Sequence, residues 1–133
     1  MARFRARWLL LLPAALLSAG CLLAAGGAAA GGGIYYTTRG VEAVVHGDIE
    51  DVSGAARAAF EELGVAHQGH RDADDGDSRE IFGDAGGDEV TVRLVRRTEN
   101  ATLTEVRVKR SAVTWDKEMA ERILQEIRDR RES

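Results

Sequence analysis

This chain contains a single cysteine, Cys21. No intramolecular disulfide can form, so whatever folds must be held by an apolar core. Histidine is almost as scarce, at His46, His67 and His70. His67 and His70 are three apart, and on a strand that spacing sends them to opposite faces, which does not suit a shared metal. Past the cysteine the serines are Ser53, Ser78, Ser111 and Ser133, and none lies in a G-x-S-x-G setting. No glycine-rich phosphate loop follows a strand, because Gly31-Gly32-Gly33 precedes one. These absences leave no catalytic residues, no metal and no cofactor to expect, and the protein is read as not an enzyme.

Excess positive charge is also missing. The chain carries 18 basic and 22 acidic side chains, net −4. Removing residues 1–20 takes away three of the basic groups and none of the acids, leaving 15 against 22 and a net charge of −7. An acidic body lacks the basic footprint of a nucleic-acid partner. Asp72, Asp74, Asp75 and Asp77 surround Gly76 in a manner similar to a calcium loop. The match fails in register: the third carboxylate comes one place early at Asp75, and Gly83 stands where a bidentate Glu belongs. A solvated acidic turn is the expectation.

No charged residue occurs from Trp8 to Thr38. Before that stretch come Arg3, Arg5 and Arg7, a basic n-region, and Trp8 to Leu17 form an apolar h-region of ten residues. As a helix this run spans roughly 15 Å at ~1.5 Å per residue, half of the about 30 Å a bilayer core requires. Small residues, Ser18-Ala19-Gly20, lead to Cys21. Residues 3–21 thus resemble a bacterial lipoprotein signal, although Ser18 stands where a leucine is usual and Leu17 lies one place further back. The resemblance implies a diacylglycerol on the Cys21 thiol, cleavage after Gly20 and acylation of the new amino group. Two or three acyl chains give stable anchoring where one would be marginal. An uncleaved leader running on as a membrane helix and a soluble secreted form are the alternatives. In either anchored case the three arginines stay cytoplasmic and the C-terminal domain faces outward.

Residues 1–20 therefore read as a lipoprotein signal peptide and 21–37 as the lipidated cysteine with an Ala/Gly-rich tether. Residues 38–133 read as one small domain of about 95 residues, enough for a single core. Val41, Ala43 and Val45 alternate as a strand with one buried face. Asp48 can cap a helix whose stripe is Val52, Ala55, Ala56, Ala59, Phe60 and Leu63, with Gly64 as its stop. Gly54 inside that helix suggests close packing against a sheet. Val65 to Arg71 and Arg79 to Gly83 read as weaker strands, separated by the acidic turn. Val90, Val92 and Leu94, then Thr104, Val106 and Val108, give the clearest alternation. Residues 115–131 form a closing helix on Met119, Ala120, Ile123, Leu124 and Ile127, with Thr114 as cap. The predicted fold is α+β, an antiparallel sheet of four to five strands with two amphipathic helices on one face, in the order β-α-β-β-β-β-α.

This pattern resembles an uncharacterised bacterial lipoprotein family, domain of unknown function 3568. The residues that carry the resemblance are Tyr35-Tyr36 with Gly40, Asp51-Val52 through Leu63-Gly64-Val65, Val90 to Leu94, Thr104 to Val108, and Ile123-Leu124 with Ile127. Ser111 to Trp115 departs from it, where relatives tend to carry a Gly-Asp type turn. The resemblance implies fold and anchor, and no activity.

The expected function is a membrane-anchored, non-enzymatic lipoprotein of the cell envelope, a protein-interaction or structural module held through lipid on Cys21. Its domain faces the periplasm or the exterior, and Leu22 after the cysteine favours the outer membrane where there is one. The partner is expected to be an envelope protein. The alternative is a small-ligand or lipid-binding domain with a pocket between helices and sheet. A closed core joining Phe60, Val92, Val106 and Ile123 favours the first, and a cavity lined by them the second. Trp115 reads either as a core aromatic or as an anchor for a partner protein.

Overall fold

The computed structural model describes residues 33–132, and the signal, Cys21 and most of the tether lie outside them. Asp48 caps α1 (Ile49–Leu63) by accepting from the Asp51 amide at 2.8 Å. Glu50 and Asp51 place negative charge at the positive end of the helix dipole. Gly64 ends the helix in the left-handed region, and the amides of Gly64 and Val65 bond back to the carbonyls of Glu61 and Phe60. Both ends follow the sequence expectation. Gly54 does not: the apolar stripe faces the sheet, so position 54 is exposed and a Cβ there would touch nothing within 4 Å.

The sheet has six strands rather than four to five. They are β1 (Tyr35–Tyr36), β2 (Gly40–His46), β3 (Ala66–Ala73), β4 (Ser78–Ala85), β5 (Asp88–Thr98) and β6 (Ala101–Lys109). All neighbours are antiparallel, in the spatial order β1-β2-β6-β5-β4-β3. The extra strand, β1, is too short to show an alternation in sequence, and its pairing with Glu42 and Val41 defines it. The element order is therefore β-β-α-β-β-β-β-α, within the expected α+β class.

The second helix, α2 (Lys117–Glu132), begins two residues later than its periodicity suggested. Asp116, not Thr114, is its cap, with the Met119 amide donating to Asp116 Oδ1 at 3.0 Å. Thr114 is spent in a turn that takes the Arg110 amide, and the Asp116 amide reaches back to the Val108 carbonyl at 2.8 Å. These bonds keep Trp115 extended, bridged to Lys109.

One face of the sheet carries the core. Val41, Ala43 and Val45, then Val90, Val92 and Leu94, then Val106 and Val108, meet Val52, Ala56, Ala59 and Phe60 of α1. Ala120, Ile123, Leu124 and Ile127 of α2 complete the same cluster. Thr102 and Thr104 are buried on this face as well, and the Thr102 hydroxyl donates to the Gly47 carbonyl at 2.9 Å. The opposite face carries charge in register: Glu42, Glu105, Arg93, Glu80 and Arg71 lie side by side across five strands. β3 forms the far edge, and α1 packs against β3, β4 and β5.

Candidate functional site

A polar cleft opens where α1 meets the β3–β4 edge of the sheet. Its sequence origin is simple on the helix side. Glu50, Ser53 and Arg57 recur at i, i+3 and i+7, a polar line beside the apolar stripe. On the sheet side, Ile81 and Gly83 face the helix, and so does Arg79 two places earlier.

The strand β3 supplies the unexpected part. His67 pairs with Gly83 and His70 with Ile81, although three positions separate the histidines and two separate their partners. A β-bulge between His67 and Gly69 absorbs the extra residue, and Gly69 at φ 133° supplies a conformation other side chains rarely adopt. Strict alternation put the two imidazoles on opposite faces; the bulge puts both on the helix side. They line the cleft with Glu50, Ser53, Arg57, Arg79 and Ile81, around a volume of about 280 Å³. The His67 ring also sits 6.5 Å from that of Phe60, tilted.

Arg79 organises the floor. Its Nε and Nη2 donate to the two oxygens of Asp72 at 2.6 and 3.2 Å, a bidentate pair. Its Nη1 donates to Ser53 Oγ at 3.0 Å and its Nη2 to Glu50 Oε1 at 2.8 Å. One side chain thus staples the first turns of α1 to the edge hairpin. The Arg79 side chain is only 13% exposed, and the hydrogen bonds it donates to Asp72 and Glu50 hold its guanidinium charged. The same hydrogen bond lowers the Asp72 carboxyl below its ordinary range, aided by the positive charge of Arg79 and by His70.

The acidic turn after β3 does not converge. Asp72 is committed to Arg79 and Asp77 to Arg96, at 2.9 Å. Asp74 and Asp75 both take positive φ, 54° and 55°, to turn the chain into β4. Among the described residues no group of three or more His, Cys, Asp or Glu side chains is placed to hold a metal ion. His46 lies at the end of β2, which is separated from β3 by three strands. A second groove, of about 360 Å³, runs along α2 between Leu63, Glu118, Arg122 and Asp129 and is lined mainly by solvated charges.

Trp115 is half-buried and lies outside the core cluster, so it does not close α2 onto the sheet as a core aromatic. The Arg39 guanidinium lies 5.5 Å and the Lys109 ammonium 5.9 Å from its ring centroid. Beside it Val113 is 87% exposed in the Arg110–Thr114 turn. At the β1 edge, the Tyr36 hydroxyl donates to Glu121 of α2 at 2.8 Å, which raises its pKa above the usual phenol value.

Arg79 and Arg57 were not singled out by the sequence. The polar line Glu50, Ser53, Arg57 was the available signal, but nothing local announced its partner strand. Phe60, Val92, Val106 and Ile123 are all buried to within 1% in one closed cluster, and neither cleft is lined by any of them.

The family described as Protein of unknown function (DUF3568) matches residues 6–130. No curated protein matches the chain.

Proposed function

Because this chain belongs to the DUF3568 family, whose description names no activity, we propose its role from its build: a lipid-anchored module of the bacterial cell envelope that works through its surface and without catalysis. The anchor is acyl lipid on Cys21. The domain faces the periplasm or the exterior, with the outer membrane favoured by Leu22. The observation that carries the surface reading is the filled core. Phe60, Val92, Val106 and Ile123 share one buried cluster and line neither of the two clefts described above, which supports a role at the surface. Contacts with a partner fall to exposed features, and Trp115 is the best placed of them. A tryptophan kept half in solvent, two residues from an exposed valine and within about 6 Å of two cations, has the chemistry of an interface anchor.

The test combines fractionation with photo-crosslinking. The full chain is produced with a photo-reactive residue at position 113, alone and with Cys21→Ala. The expected result is a membrane-bound protein giving a discrete crosslinked species, with Trp115→Ala abolishing the crosslink and Cys21→Ala abolishing stable membrane attachment. A chain that leaves the membrane in alkaline carbonate, or that crosslinks to nothing, would contradict the proposal.

A further inference from the structure

The cleft between α1 and the β3–β4 edge has an uneven inventory. Its two nearest carboxylates, Glu50 and Asp72, both bind Arg79. That cluster sets one guanidinium against two carboxylates, a net charge of −1 that the guanidinium of Arg57 offsets. Ser53 accepts from Arg79, which leaves its hydroxyl hydrogen free to donate. Arg57 projects from the next turn of α1, exposed, and has no ion-pair or hydrogen-bond partner among the described residues. His67 and His70 flank it from β3 and are each able to donate at least one N–H. The side chains around the cleft that Arg79 leaves uncommitted, Arg57, His67 and His70, can each donate, as can the Ser53 hydroxyl, while Glu50 keeps its Oε2 open beside them.

We propose that this cleft is a binding site for a small phosphate-type oxyanion, specifically a phosphomonoester group. Arg57 supplies a guanidinium fork, and two imidazoles and a hydroxyl line the same cleft. Several donors from a helix and a strand around one cleft suit an acceptor with several oxygens. A volume of about 280 Å³ has room for the oxyanion and a short organic remainder, just below the roughly 300 Å³ at which drug-sized sites begin. Ile81 gives that remainder an apolar wall. The bulge in β3 is what makes the site, because without it only one imidazole would face the helix. The chain as a whole is acidic, so its general field does not collect anions, and binding depends on these local donors.

The experiment is a titration of the full ¹⁵N-labelled chain, in neutral detergent micelles, with inorganic phosphate at ionic strength held constant by chloride. The expected result is saturable movement of the Ser53, Arg57, His67 and His70 amides. Arg57→Gln and His70→Gln each weaken binding about tenfold or more, as loss of a charge-assisted contact should. Both side chains are exposed, so neither change should prevent folding. Arg122→Gln, in the other groove, leaves binding unchanged. Movement that never saturates, that spreads over the surface, or that survives Arg57→Gln would overturn the site. Glycerol 3-phosphate and phosphatidylcholine vesicles carrying phosphatidic acid then distinguish a free phosphomonoester from a lipid headgroup. Competition by either supports the cleft and assigns its source, and competition by neither counts against the phosphomonoester assignment.

Discussion

Gly54 and Gly83 both face substitution by alanine, and the structure predicts opposite outcomes. Gly83 lies on the core face of β4. A Cβ there would stand 2.7 Å from Val65 Cγ1, 2.8 Å from Phe60 Cε2 and 3.2 Å from the Ala66 carbonyl oxygen. Carbon atoms pack best at about 3.5–4.0 Å, so both side-chain contacts are too close by nearly an ångström. Neither neighbour can retreat easily: Phe60 is 1% exposed, and Val65 is buried with its backbone N–H donating to the Phe60 carbonyl. Overpacking of this kind costs about 1–3 kcal/mol, and the lower entropy of the unfolded alanine chain offsets only about 0.4–1 of it. Gly54 lies on the solvent side of α1 with nothing within 4 Å. Alanine there should stabilise the helix by about 0.5–1 kcal/mol. Urea unfolding of the full chain in micelles, followed by far-ultraviolet circular dichroism, should move the midpoint down for Gly83→Ala and up for Gly54→Ala. With a slope of about 1 kcal/mol per molar urea, each shift is readily measured. A neutral Gly83→Ala or a destabilised Gly54→Ala would refute the packing described for this seam.

Phe60→Ala should cost about 3–5 kcal/mol, because the ring is fully enclosed at the junction of α1, β4 and the Gly64 cap; thermal unfolding checks it. Asp116→Ala should cost about 1 kcal/mol by removing the cap of α2, whereas Thr114→Ala should cost less, reversing the sequence expectation; urea midpoints of the two variants decide between the caps. The Asp72 carboxyl is lowered by Arg79, so the folded state favours its ionised form. That contribution is complete above the ordinary carboxylate range and is lost as pH falls through the lowered value. Asp72→Asn should therefore lose stability at neutral pH and show a shallower decline as pH falls through and below the ordinary carboxylate range, measured as unfolding midpoint against pH.

The sequence showed most of the fold because its strongest signals are local. Asp48 and Gly64 sit at the two ends of one helix stripe, and the alternation in β5 and β6 needs no partner to be seen. What stayed hidden depends on distant pairing. β1 exists only through its register with Val41 and Glu42. The bulge in β3 is defined by where His67 and His70 fall against β4, not by their spacing. Arg79 meets Asp72, Ser53 and Glu50 across 7, 26 and 29 positions, and no periodicity reports such a staple. Trp115 followed the helical spacing of its neighbours, but the bond from the Asp116 amide to Val108 keeps it out of the helix.

The central claim, a lipid-held envelope module, is tested most directly by the intact mass of the membrane-extracted protein, wild type beside Cys21→Ala. The expected result is a mature chain beginning at Cys21 with added acyl mass, and loss of both processing and acylation in the variant. An unprocessed, unacylated chain in both samples would contradict it and would make the leader itself the anchor.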